Sequence, residues 1–256
     1  MISDEEVRAL YRKCKAIQQD YGNRDRELFY QFFRGKLDQD WAGHYLGGCQ
    51  RDMSVFRRFN VIPEYCFGCY KVTVSPRTVM ELFKLMMLFD KLDLPDDNTR
   101  KCMIETRRNV SGTYKGLIYC RGLDEASEME NFIMQAVGAE ISSDVPVGLK
   151  RGCSEYSIAY PDYEYRGNSE TMMTYSPAWR VYEAIMESEF KVRGNVRRGQ
   201  TYNRDICNLN DADTMYYWLR CAATLGDPTY LEISETAIEP FTSWDKPSPF
   251  DKTRNP

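Results

Sequence analysis

Hydrophobic residues near the start of the chain recur at helical spacing. Ser3 and Glu6 occupy the two positions of a capping box, in which each side chain accepts a hydrogen bond from the other residue's backbone N–H. Apolar residues then follow every three or four positions, which predicts a helix that ends near Tyr21. A second apolar group predicts another helix over about 28–37, whereas residues 41–63 show no period and are predicted to be irregular.

In the middle of the chain the pattern changes to the alternation that is typical of β-strands. It predicts four strands, at 70–74, at 102–106, up to Cys120 and near Val145–Leu149. Helical patterns at 77–90 and from Asp124 onwards separate them. The resulting order, βαββαβ, is the ferredoxin-like arrangement. We therefore expect an α+β protein with a central ferredoxin-like βαββαβ sheet, N-terminal helices before it and a C-terminal α+β half packed on it.

These patterns divide the chain into four parts. An N-terminal helical segment covers 1–63 and the ferredoxin-like core covers 64–150. A tyrosine-rich α+β half follows over 151–240. The remainder, 241–256, contains Pro247 and Pro249 and is expected to be a loosely attached tail.

Composition and charge narrow the classes of function. The chain has 256 residues, of which 43% are hydrophobic and 28% charged, as in ordinary globular proteins. A net charge of −4 argues against a protein whose main role is to neutralise nucleic-acid phosphates, although it permits a local basic face. No stretch approaches the roughly 20 apolar residues of a membrane helix. The acidic N-terminus does not resemble a secretory signal, so we expect a cytoplasmic protein without membrane contact.

Cysteine and histidine counts limit the chemistry further. Nine cysteines without a secretory signal indicate a reducing compartment, in which thiols stay free, bind metal or take part in redox reactions. His44 is the single histidine, so most histidine-ligated metal sites are excluded. Whether the protein is an enzyme stays open, because no nucleophile or general base stands out.

Four cysteines are predicted to meet at one edge of the sheet. Cys66 and Cys69 form a Cys-x-x-Cys pair before the first strand, Cys102 begins the second and Cys120 ends the third. Four thiolates bind a tetrahedral zinc ion, and they also bind a [4Fe–4S] cluster. We favour zinc as the cofactor, with the cluster as the alternative. Cys153 is the substitute ligand, Cys49 is a weaker one, and the competing interpretation is a set of buried core thiols.

The hairpin that carries Cys102 and Cys120 is rich in basic residues. On its open face, Tyr114-Lys115-Gly116-Leu117-Ile118-Tyr119 resembles the third-strand motif of RNA-recognition domains, Lys/Arg-Gly-aromatic-x-aromatic, with Leu117 in place of the first aromatic. That resemblance implies base stacking on Tyr119. Arg107 and Lys115 belong to the basic group of the same hairpin and are candidates for binding nucleic acid or another anion. The alternative is that the C-terminal half covers this face.

A glycine-flanked basic turn, with Arg193, Arg197 and Arg198, is a further candidate for anion binding, because arginine grips phosphate or carboxylate bidentately.

Three classes of function therefore follow from the sequence. The first is a cytoplasmic metal-binding protein with a four-cysteine site that acts as an interaction or substrate-binding module. The second is an iron–sulfur redox protein or enzyme. The third is a nucleic-acid-binding protein that uses the basic hairpin; an acidic protein is the other partner that suits this charge.

Overall fold

A computed structural model describes residues 1–21, 31–34, 49–164, 172–192, 209–244 and 246–250. Its helices are α1 (Asp4–Tyr21), α2 (Gln50–Phe59), α3 (Val79–Lys91), α4 (Leu123–Glu140), α5 (Ser154–Ala159), α6 (Arg180–Val192), α7 (Leu209–Leu225) and α8 (Thr229–Ser234). Its strands are β1 (Gln31–Arg34), β2 (Cys69–Val74), β3 (Arg100–Ile104), β4 (Tyr114–Arg121) and β5 (Val147–Arg151). Short 3-10 turns cover Glu64–Gly68, Pro161–Tyr163 and Pro177–Trp179.

The strands form a single sheet in the order β1-β3-β4-β2-β5, and every neighbouring pair is antiparallel. Along the chain the central elements follow as β2, α3, β3, β4, α4 and β5. The predicted α+β class is therefore confirmed. None of the described helices combines the length and the apolar character that crossing a bilayer requires.

The main hydrophobic core lies between the sheet and the helices α3 and α4. Val72 of β2 and Ile118 of β4 are fully buried in it, together with Leu85 and Phe89 of α3. Gly116 allows α3 to approach β4 closely, because a Cβ at that position would collide with the Leu85 side chain and lie 3.1 Å from the Phe89 ring. One face of the sheet is therefore covered by α3 and α4.

Two predictions about the N-terminal segment are wrong. The helix predicted over 28–37 is replaced, in the described residues, by β1, which pairs with the edge of β3 from Gln31↔Met103 to Arg34↔Arg100. Backbone pairing with an open sheet edge outweighs a local helical period in so short a stretch. The irregular stretch 41–63 contains α2. The apolar side of α2 includes buried Val55 and half-buried Phe59, four positions apart. The polar residues around them hide this helical spacing in the sequence.

The register between β3 and β4 also differs from the prediction. Cys102 was expected opposite Cys120, but it pairs with Gly116, and Cys120 pairs with Tyr70 on the other side of β4. The strands are joined by residues 105–113, a loop whose first and last residues are linked by a hydrogen bond from Glu105 N–H to the Thr113 carbonyl (2.7 Å). The midpoint of this loop is residue 109, whereas pairing of Cys102 with Cys120 would need a midpoint at residue 111. The difference of two displaces the register by four residues, or about 13 Å at about 3.3 Å per residue.

After β5, the described residues form helices and turns rather than the α+β half that was predicted. Apolar residues at helical spacing predict a helix from about Asp211 to Leu225, and the structure confirms it as α7. Buried Trp218 packs edge-on against Phe83 of α3, with ring centroids 5.7 Å apart. The segment after 240 is not loose where it is described. Lys246 is buried and donates hydrogen bonds to the carbonyls of Val110 (2.8 Å) and Gly112 (2.7 Å).

Candidate functional site

Four cysteines from three parts of the chain gather at one end of the sheet, and we call Cys49, Cys66, Cys69 and Cys153 the thiol cluster. Cys66 lies in the 3-10 turn before β2, and Cys69 is the first residue of β2. Cys153 follows β5, which is held beside β2 by a hydrogen bond from Gly152 N–H to the Cys69 carbonyl (2.7 Å). Cys49 precedes α2 with a left-handed backbone (φ 37°).

Two members of the thiol cluster, Cys66 and Cys153, lie in or against a second hydrophobic core, separate from the main one. Ile62, Cys66, Tyr156 and Tyr163 form this core, and Cys153 packs against it. The Tyr156 hydroxyl lies 3.4 Å from Cys66 Sγ, and the Tyr163 hydroxyl donates to the Cys66 carbonyl (2.6 Å). Both tyrosine rings are fully buried, so they close this side of the cluster to water.

Burial holds the thiols of Cys49, Cys66 and Cys69 in their protonated form. It raises the pKa of Cys69 to about 11 and that of Cys49 to about 12, and it raises the pKa of Cys66 strongly. The nearby sulfur of Cys153 adds to the rise in all three, which shows that these groups lie within electrostatic range of one another. A metal ion would have to displace these protons, because the thiolate is the ligand.

Lys71 places a positive charge beside the cluster. Its side chain is buried, at 6% exposure, and its Nζ donates to the Gly152 carbonyl (2.8 Å) and lies 3.5 Å from Cys153 Sγ. It also lies over the Tyr119 ring, 5.0 Å from the centroid. No carboxylate of the described residues forms an ion pair with it. A buried ammonium without a counter-ion is costly, so the site suits a group that carries negative charge.

The other two predicted ligands lie elsewhere. Cys102 and Cys120 are fully buried in the main core between the sheet and its helices, whereas Cys66 belongs to the second core. The reason is the alternation of strand side chains: Cys120 shares a face with its cross-strand partner Tyr70, and Cys69 points to the opposite face. The structure thus brings Cys66 and Cys69 together with the two substitutes rather than with Cys102 and Cys120.

Seven of the described cysteines are free thiols, and Cys14 is disulfide-bonded. Within the described part of the chain, no set of three or more histidine, cysteine, aspartate or glutamate side chains is already arranged to hold a metal ion. The thiol cluster is therefore a convergence of ligand-type residues rather than a formed coordination shell.

The predicted nucleic-acid contacts are already engaged within the protein. Arg107 forms ion pairs with Glu105 (2.7 Å) and with Glu155, and Lys115 Nζ lies 3.4 Å from Glu105. Tyr119 is only 7% exposed, too little for a base to stack on its ring. Arg193, Arg197, Arg198 and His44 lie outside the described residues.

The pairing of Glu105 predicts an acid-sensitive contribution to stability. Burial by itself would raise the pKa of Glu105, but side-chain and backbone hydrogen bonds from Arg107 outweigh it and lower the pKa to about 2. Since the pKa is lower in the folded than in the unfolded chain, the contribution is complete above about pH 4.5 and is lost as the pH falls towards 2. We expect Glu105→Gln to cost about 1–3 kcal/mol at pH 7 and much less at pH 2.5.

Urea unfolding at both pH values measures this difference. Glu128→Gln is the matched control, because Glu128 is exposed and forms no ion pair within the described residues. Equal destabilisation by Glu105→Gln at pH 7 and pH 2.5 would contradict the assignment.

Sequence reasoning gave the two central members of the cluster and ranked Cys153 and Cys49 only as substitutes. The signal for Cys153 was its position directly after the strand that neighbours β2. Cys49 gave a weaker signal because α2 was not predicted. Alternation along β2 puts Lys71 on the open face of the sheet, but nothing in its sequence neighbourhood indicates burial beside a thiol.

Comparisons with protein-family models, with curated proteins and with solved structures gave no match for this chain.

Proposed function

We propose that this protein binds metal through a thiolate centre made by Cys49, Cys66, Cys69 and Cys153. The observation that carries this proposal is the convergence of the four cysteines beside the buried ammonium of Lys71. Four thiolates around a divalent zinc ion carry a net charge of about −2, and the same holds for a [4Fe–4S]²⁺ cluster. Either centre would act as a counter-ion for the ammonium of Lys71, which forms no ion pair with a carboxylate of the described residues.

The residues around the cluster fit such a group chemically. A Cys-x-x-Cys turn provides two ligands from one backbone bend, and Tyr156 provides a hydroxyl at Cys66 Sγ. Binding would release the thiol protons and would draw the four side chains into a shell, so metal binding would be linked to the stability of the second core. A bound zinc ion would be structural, since four protein ligands leave it no open position.

Zinc is the favoured metal, because structural zinc is the common use of a Cys-x-x-Cys pair with two distant cysteines. The iron–sulfur alternative uses the same ligands. On this proposal the protein acts as a metal-stabilised interaction or substrate-binding module of the cytoplasm. The free thiols support that compartment, although the disulfide at Cys14 departs from the expectation that every thiol is reduced.

We also propose to class the sheet as ferredoxin-like, with β1 added at one edge. The support is the chain order β2-α3-β3-β4-α4-β5 combined with the sheet order β3-β4-β2-β5. This order puts the entry of β2 next to the exit of β5. It therefore accounts for the contact between the Cys-x-x-Cys turn and Cys153.

Elemental analysis of protein purified anaerobically without added metal tests the metal proposal. We expect about one zinc per chain, or iron with sulfide and a broad visible absorption if the alternative holds. The double variant Cys66→Ala/Cys69→Ala and the single variant Cys153→Ala should lose the metal and melt at lower temperature.

Cys102→Ala/Cys120→Ala is the matched control, because it removes two buried thiols of the main core. It should be destabilised by lost packing and should retain the metal. A wild-type protein without metal would overturn the proposal. If only the control variant lost the metal, the ligands would be Cys102 and Cys120 and not the thiol cluster.

A further inference from the structure

The outer side of β5 is an unpaired edge of the sheet within the described residues. β5 pairs with β2 alone and is the last strand in the order β1-β3-β4-β2-β5. We call this outer side of the strand the β5 edge. An edge strand presents a row of N–H and C=O groups that can pair with a further strand.

The hydrogen bonds between β2 and β5 determine which residues face this edge. At one end of the ladder, Ser75 N–H donates to the Pro146 carbonyl (2.9 Å). In an antiparallel pair, residues that bond to the neighbouring strand alternate with residues whose N–H and C=O groups point away from it. Val147 and Leu149 therefore direct their backbone groups outwards. Within the described part of the chain, no hydrogen bond reaches those groups.

An apolar strip borders one face of the β5 edge. Glu125 of α4 accepts a hydrogen bond from Asn98, which precedes β3, so that side of α4 faces β3. Met134 lies nine positions further along α4, or about two and a half turns, and is therefore on the opposite side, towards β5. Its side chain is 50% exposed, and the side chains of Val147 and Leu149 are half-buried against the main core.

The other face of the β5 edge carries a positive charge. Lys150 follows Leu149 in the strand, so its side chain points to the face opposite α4. Lys150 is half-buried and donates to the Ser154 hydroxyl (2.6 Å), and it forms no ion pair with a carboxylate of the described residues. Gly148, two positions earlier on the same face, leaves room for a larger side chain on an added strand.

We propose that the β5 edge binds an extended segment of a partner protein in which apolar and acidic residues alternate. The backbone of the segment pairs with the outward N–H and C=O groups of Val147 and Leu149, as when a peptide adds a strand to an exposed sheet edge. Residues directly opposite these two lie on the α4 face and are apolar, and the residue opposite Lys150 lies on the other face and is acidic. The surface uses none of the proposed metal ligands and goes beyond the metal centre.

Charge favours a partner protein over a second copy of this chain. Two copies joined as antiparallel strands about Leu149 would bring the two Lys150 side chains to diagonal positions, about 7–8 Å apart. Like charges oppose this arrangement, and a lysine on an edge strand is a common protection against pairing between identical edges. An acidic segment is attracted by the same charge.

Fluorescence polarisation of the full-length protein with a short labelled peptide of alternating valine and glutamate tests the proposal. We expect saturable binding, and much weaker binding of the peptide in which lysine replaces glutamate. Methylation of the peptide's backbone nitrogens on the pairing side should weaken binding by roughly tenfold, since it removes backbone hydrogen bonds. Hydrogen exchange at the amides of Val147 and Leu149 should slow in the complex.

Two variants of the β5 edge separate the contributions of charge and backbone. Lys150→Glu should weaken binding of the glutamate peptide by roughly tenfold and strengthen binding of the lysine peptide. Val147→Pro removes an outward N–H and should weaken both interactions. Lys150→Glu keeps the test decisive even where the proline variant fails to fold, because it leaves the backbone intact. Lys13→Glu, the matched control at an exposed lysine of α1, should leave both affinities unchanged.

Three outcomes would overturn the proposal: no saturable binding, equal affinity for the two peptides, or unchanged exchange of the Val147 and Leu149 amides in the complex. A dimer of the free protein in which these amides are protected would assign the β5 edge to a second copy and would also overturn it. Metal content measured on the same samples keeps the two proposals distinct. Metal-loaded protein that ignores the peptide counts against the β5 edge alone, and peptide binding by metal-free wild-type protein counts against the metal centre alone.

Discussion

Replacing Asp227 with alanine is expected to lower the free energy of unfolding by about 3–5 kcal/mol, because it leaves several buried donors without an acceptor. Asp227 is fully buried in the turn between α7 and α8. Its carboxylate accepts hydrogen bonds from the Val79 N–H (2.6 Å), from the Tyr114 hydroxyl (2.7 Å) and from the N–H and hydroxyl of Thr229 (3.0 and 2.8 Å).

These four hydrogen bonds join three elements of the main core. Val79 is the first residue of α3, where a negative charge also interacts favourably with the helix dipole. Tyr114 begins β4, and burial together with Asp227 raises the pKa of its hydroxyl, so that group stays a donor. The substitution therefore affects the attachment of α7 and α8 to the sheet and not only one local turn.

Urea unfolding at pH 7 measures the effect. Asp227→Asn is the conservative comparison, because its amide oxygen still accepts hydrogen bonds, and we expect a smaller loss. Asp96→Ala is the matched control, since Asp96 is exposed, and it should change the unfolding free energy by less than about 0.5 kcal/mol. A loss below 1 kcal/mol for Asp227→Ala would show that other groups satisfy the buried donors.

Replacing Gly152 with alanine is expected to destabilise the protein by about 2–4 kcal/mol through backbone strain and overpacking. Gly152 has a left-handed backbone (φ 52°), and a Cβ there would collide with the Tyr163 hydroxyl and lie 2.7 Å from its ring carbons. Tyr163 is fully buried, and its hydroxyl donates a hydrogen bond to the Cys66 carbonyl. Displacing Tyr163 would therefore disrupt the packing of the second core. We expect metal content to fall with stability in this variant.

Gly148→Ala, in β5 just before Gly152, is the matched control. A Cβ at Gly148 would lie 3.9 Å from the Thr73 hydroxyl, an ordinary contact, and this glycine has no left-handed backbone. Tyr163→Phe in the Gly152→Ala background should recover part of the lost stability, because it removes the atom in the closest contact. Similar melting temperatures for Gly152→Ala and Gly148→Ala would contradict the assigned packing.

Local patterns in the sequence predicted several elements correctly. The capping box is present as expected: Ser3 N–H donates to Glu6 (2.8 Å) and Glu6 N–H donates to the Ser3 hydroxyl (3.2 Å). The alternation of Tyr70, Val72 and Val74 became β2, and the helical period before Leu225 became α7. In each case the signal comes from neighbours in the chain, and a single buried face suffices to select the element.

Other elements depended on partners that are distant in sequence. Gln31–Arg34 is a strand because the edge of β3 is open to it, and Cys102 faces Gly116 because the intervening loop closes at Glu105 and Thr113. Neither the open edge of β3 nor the residues at which the loop closes can be recognised from the local pattern of apolar and polar residues. A turn misplaced by two residues displaces the pairing of two strands by four.

For the candidate site, the sequence by itself determined the types of group available: cysteines with a Cys-x-x-Cys pair at the entry of a strand, a single histidine, and lysines at alternate positions of the sheet. Only the tertiary structure decided which groups meet. Side chains of a strand alternate between faces, so Cys120 joins the main core while Cys69 and Lys71 reach the opposite side. Cys153 and Cys49 join Cys69 because the sheet order places β5 beside β2 and because α2 begins next to that edge. Both are consequences of long-range packing.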